Sequence, residues 1–318
     1  MTVLDTAPVP DNAEFDVLVS TLSRSRRFKN RLATVLMALA FFIAAIPLFA
    51  VMFVVVQKGI SVIRIDWFTK DIPTDIASSV LAEKFGATAD AVVYGMQPAI
   101  IGTIVITGLA ALMAIPVGIL GAIYLNEYGK QKRLANALRF LTDVMTGVPS
   151  VVMGIFIYTV WVLHFGQRST FAGALALACL MLPIVVRSTE EMLKLVPDSL
   201  REASAALGTR TWRTTVGVVV PAALPGITSG CMLAVARAAG ETAPLLFTIG
   251  SISHFAGVGH MVSQLGEQNT SLATQIFSNA TQPGGEPLAW GAALTLIVMV
   301  LVLTMLARVV TARFGRVG

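Results

Sequence analysis

The chain has 318 residues, of which 55% are hydrophobic and only 13% charged, whereas a soluble domain carries about a quarter charged residues. That balance excludes an ordinary soluble enzyme or binding module and selects the membrane class. The formal net charge of +5 does not point to nucleic acid, because the basic residues are scattered along short segments between apolar runs.

In chain order, Leu32–Val56 is the first apolar run to exceed the roughly 18 residues needed to cross a bilayer. It is too long for the apolar region of a cleavable leader, and a mostly polar segment, 1–31, precedes it. Ala99–Tyr124 and Leu141–Leu163 follow, then the shorter Phe171–Val186, then Ala222–Gly250, which contains two charges, and finally Leu288–Ala307. The intervening Gln57–Pro98 mixes Asp66, Asp71, Asp75, Glu83 and Asp90 with Lys58, Arg64, Lys70 and Lys84, and Ser251–Pro287 has no Lys or Arg. Both exceed the usual connection length and are expected to carry structure of their own.

Six spans place alternate segments on opposite sides of the bilayer. The N-terminal segment, the loops after the second and fourth runs and the C-terminus hold 17 of the 23 Lys and Arg residues; the opposite loops hold five, and Arg237 lies within a run. Cytoplasmic loops carry the positive excess. The expected fold is therefore an all-α integral membrane protein with six transmembrane helices and both termini cytoplasmic. It comprises a cytoplasmic segment, 1–31, and a transmembrane domain, 32–318, with an inner loop at 187–221.

Catalytic and cofactor chemistry finds no foothold. The one Gly-Lys pair, Gly129-Lys130, is followed by Gln131, and Tyr124 stands where the first glycine of a G-x-x-x-x-G-K-[ST] phosphate loop belongs. His164, His254 and His260 lie in outer loops without a second ligand at a metal-binding spacing. Cys179 and Cys231 fall inside apolar stretches and read as small core residues. There is no hydrolase-like nucleophile elbow and no pair of carboxylates placed for acid–base work. The expectation is a chain with no catalytic residue, metal or cofactor of its own.

The inner loop Arg187–Pro221 is the richest stretch. Asp198, just after Pro197, is placed to cap a helix, and Leu200, Ala203, Ala206 and Leu207 give it an apolar stripe. Gly208 falls where a helix ends in the left-handed conformation. Thr209 or Thr211 is placed to cap a second helix beginning near Trp212. The pattern predicts helix, glycine elbow, helix, lying across the cytoplasmic face.

Glu202-Ala203-Ser204, then Gly208, then Val218-x-Val220-Pro221 resembles the EAA motif of ABC importer permeases (EAA, three residues, G, nine residues, I-x-L-P), with Ser204, Val218 and Val220 as conservative departures. In such permeases this segment is the coupling helix that docks into a groove on the ATPase subunit. The resemblance implies an ATPase-coupling role for Glu202, Ala203, Ser204, Gly208 and Pro221, in a type I ABC importer permease-like bundle. With Gly147-Val148-Pro149-Ser150, Leu182–Glu190 and Ala236–Leu246 added, the chain from about Gln97 onward is similar to the PstA permeases of Pst-type phosphate importers. That similarity implies a PstC-like permease subunit, two PstB-like ATPase subunits that bind the ATP, a PstS-like phosphate-binding protein and the lipid of a prokaryotic plasma membrane as partners.

Arg237 and Glu241 lie inside the fifth run at a spacing that shares one helical face. A charge at mid-bilayer costs about 2.5–3.5 kcal/mol on insertion scales, so such residues face the bundle interior or a water-filled path. Pro244 should break the helix just before it, and Gly226 and Gly230 form a small-xxx-small step for close packing. The pair is either a static bridge that locks the bundle or a weak, releasable anion station, with Arg187 as the next station or as an orientation anchor. The expected function is the membrane path of an ATP-driven phosphate importer. The alternatives are a permease for sulfate, molybdate or another small solute, a membrane-embedded enzyme, and a membrane signalling scaffold, which would call for a further cytoplasmic domain.

Overall fold

At bilayer depth every backbone polar group must be satisfied within its own segment, which a helix achieves. The computed structural model describes residues 24–73, 94–129, 132–253 and 263–314, and these are almost entirely helical. α1 is Arg24–Ile60 and a short α2, Ile65–Thr69, follows. α3, Gln97–Ile123, runs into a π-turn at Tyr124–Tyr128. α4, Arg133–Gly147, precedes α5, Ser150–Ile157, which continues through a π-turn at Tyr158–Val162 to Phe165. α6 is Thr170–Lys194, α7 Asp198–Ala206 and α8 Thr211–Thr214, the last passing through a π-turn at Thr215–Val219 into α9, Val220–Ala239. α10 is Ala243–Thr248, α11 Leu272–Thr281 and α12 Glu286–Phe314. Asp75, Glu83, Lys84, Asp90, Lys130, Gln131, His254, His260 and Arg316 lie outside the described residues.

Five helical stretches among the described residues are long and apolar enough to cross a membrane, and the bent α4–α5 pair makes a sixth if it is one span. The chain divides into two compact units, Met1–Val54 and Val55–Gly318. In the first, α1 leaves Phe28, Phe41, Phe49 and Phe53 exposed, the pattern of a helix apolar all round that meets lipid or another chain. All the candidate functional residues belong to the second unit.

Two apolar runs differ from their reading as single segments. α4 and the helix through Phe165 meet at 106°. Val148 (φ −74°, ψ 127°) and Pro149 (φ −58°, ψ 139°) are extended there, because a proline ring excludes the helical conformation from the residue before it. Ala222–Gly250 is likewise two helices, since α9 stops at Ala239 and Pro244 sits in the first turn of α10, where its missing N–H costs nothing.

Lipid offers apolar side chains no hydrophobic gain over a protein neighbour, so these helices associate through close packing at small residues. α3, α6, α9 and α10 share the main core, which includes Ile106, Leu177, Met181, Ile227 and Leu245. Gly118 lies against Val185 and Gly173 against Ile249, while Gly226 meets Met192 and Gly230 meets Ser188. These last two contacts fix α6 and α9 as antiparallel neighbours. A second cluster joins α2, α11 and α12 around Trp67, whose indole N–H donates to Thr295 Oγ1 at 2.9 Å. Among the described residues, the two long segments between spans, 57–98 and 251–287, thus contribute α2 and α11.

Candidate coupling elbow and charged residues

α7 begins one residue away from its expected cap: Pro197 is the N-cap, and Asp198 falls in the first turn, where its charge complements the helix dipole. The helix ends at Gly208, whose φ is +74°. The Gly208 and Thr209 N–H groups donate to Ala205 and Ser204 carbonyls at 2.9 and 3.3 Å, closing the helix in the left-handed manner. A Cβ at Gly208 would meet nothing within 4 Å, so glycine is needed there for its backbone conformation and not for room.

Neither Thr209 nor Thr211 caps α8; the N-cap is Arg210, without a side-chain bond. The Thr209 hydroxyl turns back instead, lying 2.6 Å from Ser204 Oγ and 3.0 Å from Thr214 Oγ1, with Ser204 Oγ 2.9 Å from Thr214 Oγ1. Ser204, the departure from the second alanine of the motif, therefore supports a hydroxyl triangle that sets the angle of the elbow. Glu202, Ala203 and Gly208 are exposed, as is Pro221 in the first turn of α9. Leu207 is 84% and Trp212 52% exposed, and the Arg213 guanidinium lies over the Trp212 ring. The elbow thus presents a mixed apolar and charged surface that the described residues leave uncovered.

Beneath the elbow lies a buried charge cluster. Glu190 accepts from Arg139 Nε at 3.0 Å and pairs with Lys194 at 2.9 Å, and its side chain is 3% exposed. Glu127, whose side chain is 7% exposed, accepts from Arg201 Nη2 at 3.0 Å. Removing one partner of such a buried pair typically costs about 3–5 kcal/mol. Sequence reasoning counted Arg139, Lys194 and Arg201 only as orientation charges and gave Glu127 no role. The available signal was an acidic residue, Glu127, just past the C-terminal end of an apolar run, in a chain whose next loops are rich in arginine.

The three candidate path residues fall into two places. Arg187, on α6, donates from Nε to Glu191 at 2.9 Å and from Nη1 to Asp143 of α4 at 3.4 Å, so its charge already has two carboxylate partners. Arg237 occupies the last turn of α9 and lies 3.4 Å from Glu241, just past the helix end. Arg237 is exposed and Glu241 mostly buried. The seven positions from Gly230, which packs on Ser188, to Arg237 correspond to about 10 Å of helix. Arg187 and Arg237 therefore stand at different levels along the bundle, each with its own counter-charges. No group of three or more His, Cys, Asp or Glu among the described residues could hold a metal ion.

A family model described as a binding-protein-dependent transport system inner membrane component matches residues 114–316, a stretch that includes the elbow and all three path residues. The phosphate transport system permease protein PstA 1 of Mycobacterium tuberculosis is 41% identical over 298 residues, 92% of this chain and 91% of that protein. The chain belongs to this family, among the PstA permeases. The PstA proteins of Mycobacterium leprae and Yersinia pestis are 42% and 40% identical, the alignments covering 93% and 91% of this chain and 92% of each relative. In solved structures, a chain of a bacterial ABC transporter involved in the import of the acidic polysaccharide alginate matches with a TM-score of 0.58 at 15% identity, over 91% of this chain and 99% of that one. The inward-facing MetNI methionine ABC transporter matches at 0.50 and 17%, over 69% and 93%. These two likenesses speak for the fold alone. As a PstA permease the chain is a multi-pass membrane subunit of an ABC importer, embedded in the bacterial inner membrane.

Proposed function

We propose that this subunit forms, with a PstC-like permease, the path by which inorganic phosphate enters the cell, and that it hydrolyses no ATP itself. Two PstB-like ATPases would bind and hydrolyse the nucleotide, and a PstS-like protein would deliver phosphate at the outer face. The observation that carries the mechanism is the elbow: a glycine at φ +74° ends an exposed helix that is fastened to the spans from below. Its mixed apolar and charged surface suits the groove of an ATPase, and the charge bias of the loops supports placing it, with both termini, in the cytoplasm. The choice of phosphate as cargo rests on the permeases named above.

In this reading ATP-driven closure of the ATPases pulls on Glu202, Ala203 and Leu207. Gly208 and the Ser204–Thr209–Thr214 hydroxyls hold the elbow angle, and the strain reaches α9 through Pro221. Arg237, partly neutralised by Glu241, offers a passing anion an attraction weak enough to release it. Arg187, tempered by Glu191 and Asp143, offers a second such station. The test is radiolabelled phosphate uptake by proteoliposomes holding the complete transporter and its binding protein. ATP-dependent phosphate uptake that excess sulfate and molybdate do not suppress supports the reading; uptake of one of those anions in its place would reassign the cargo.

A further inference from the structure

α7 buries none of its residues, so no apolar core of its own holds it in place. Beside the Ser204 hydroxyl bonds of the elbow, what ties it to the spans is Arg201. Its Nη1 donates to the Val196 carbonyl at 2.7 Å and to Asp198 Oδ1 at 3.1 Å, and its Nη2 donates to the Leu193 carbonyl at 2.9 Å and to Glu127 Oε1 at 3.0 Å. Leu193 lies in the last turn of α6 and Val196 just beyond it, whereas Glu127 belongs to the π-turn that ends α3. One guanidinium therefore ties the elbow helix to two spans. The Arg201 side chain is 16% exposed and that of Glu127 7%, so water does little to screen the pair.

The π-turn is the meeting point. Its Asn126 amide donates to the same Glu127 oxygen at 2.8 Å, and its Leu125 carbonyl accepts from Arg139 of α4 at 2.7 Å. Single π-turns are frequent at functional places in helices, because the widened turn redirects side chains and frees carbonyls. An apolar contact can slide under load. A planar guanidinium with several acceptors resists displacement in several directions at once.

We propose that Arg201 and Glu127 are a positioning pair that delivers movement of the elbow to the inner end of α3, so that α3, α6 and α7 move as one body in the transport cycle. This rests on the permease reading above. Neither residue touches the cargo; both act through the helices they join.

The test uses the complete transporter in proteoliposomes, with ATP hydrolysis and phosphate uptake measured on the same preparation. Glu127→Gln keeps the size of the side chain, and Arg201 keeps its two carbonyls and Asp198. The expected result is a complex that assembles and hydrolyses ATP but whose uptake per ATP falls by about tenfold or more, the scale set by one charge-assisted hydrogen bond. Glu127→Asp, which restores the charge on a shorter arm, recovers part of that ratio. An unchanged ratio in Glu127→Gln overturns the proposal. So does failure of both variants to assemble, which would make the pair structural only. A wild-type complex with no ATP-driven uptake at all would sink the permease reading itself. A wild type that carries a different oxyanion changes only the cargo, and the ratio is then taken with that ion.

Discussion

The two short connecting helices, α7 and α11, are held in opposite ways. α11 opens on a capping box between Ser271 and Thr274 and buries Leu272, Gln275 and Asn279. Around it, Asn269 donates to Thr170 Oγ1 at 3.0 Å and accepts from the Thr270 N–H at 2.8 Å, Gln275 donates to Thr270 Oγ1 at 2.9 Å, and Leu272 N–H donates to Thr103 Oγ1 at 2.8 Å. α7 has no side-chain cap and no buried residue. The polar network makes α11 part of the bundle's stability, since each buried donor left without an acceptor costs about 1–3 kcal/mol. The elbow is left incomplete, as a surface finished by another protein would be. Substitutions should therefore separate: those around α11 lower stability and spare the turnover of folded protein, and those on the exposed face of the elbow, such as Gly208 and Glu202, do the reverse.

The largest effect is expected at Gly208→Val. A β-branched residue resists positive φ, at a strain of about 1–3 kcal/mol. Membrane abundance should stay normal while phosphate uptake falls by about tenfold to a hundredfold, a ratio read from transport assays at matched expression. Normal uptake in Gly208→Val together with Glu202→Lys would remove the docking role. Next is Asn269→Leu, which deprives the buried Thr270 N–H of its acceptor at a cost of about 1–3 kcal/mol. Thermal denaturation in detergent should show a lowered midpoint, and uptake per folded transporter should hold within about twofold. A loss of uptake without loss of stability would erase the contrast between the two helices.

A smaller effect is expected of Arg237→Met combined with Glu241→Gln. Two neutral groups of similar size replace an ion pair, a change that is often neutral for folding. The double variant should assemble with its ATPase yet remain several-fold deficient in uptake, and near-normal uptake would reduce the pair to a static bridge. The smallest is Ser204→Ala, which opens the hydroxyl triangle and forfeits about 1 kcal/mol of local hydrogen bonding. Uptake should drop no more than a few-fold and the elbow should become more mobile by spin-label spectroscopy. An effect as large as that of Gly208→Val would mean that the triangle, and not the glycine, sets the angle.

Much of this was legible in the residues. Composition and charge alternation gave the membrane class, and Gly208 could be placed because few residues other than glycine tolerate its backbone angle. The 106° bend between α4 and α5 was legible only as Pro149, because proline fixes where a helix breaks but not how far the chain turns. The Arg201–Glu127 pair was not legible, since a hydropathy reading treats arginines near inner loops as orientation signals and is blind to a partner in another loop. The α11 network was hidden for a related reason: Asn269, Thr270 and Gln275 look like solvated loop residues until the surrounding helices close over them. Asp198 and Thr209 show the limit of local rules. Each could cap its helix, but other near neighbours, Arg201 one turn along α7 for one and Ser204 with Thr214 across the elbow for the other, hold the side chain instead.

The most direct test of the account is the accessibility of Leu207, which is 84% exposed on the isolated chain. In a background without Cys179 and Cys231, a Leu207→Cys variant can be probed with a membrane-impermeant maleimide in inside-out vesicles, with and without the ATPase subunits. The account predicts ready labelling from the cytoplasmic side, strong protection once the ATPases are bound, and no labelling from outside intact cells. Equal labelling with and without the ATPases, or labelling from outside, would contradict it.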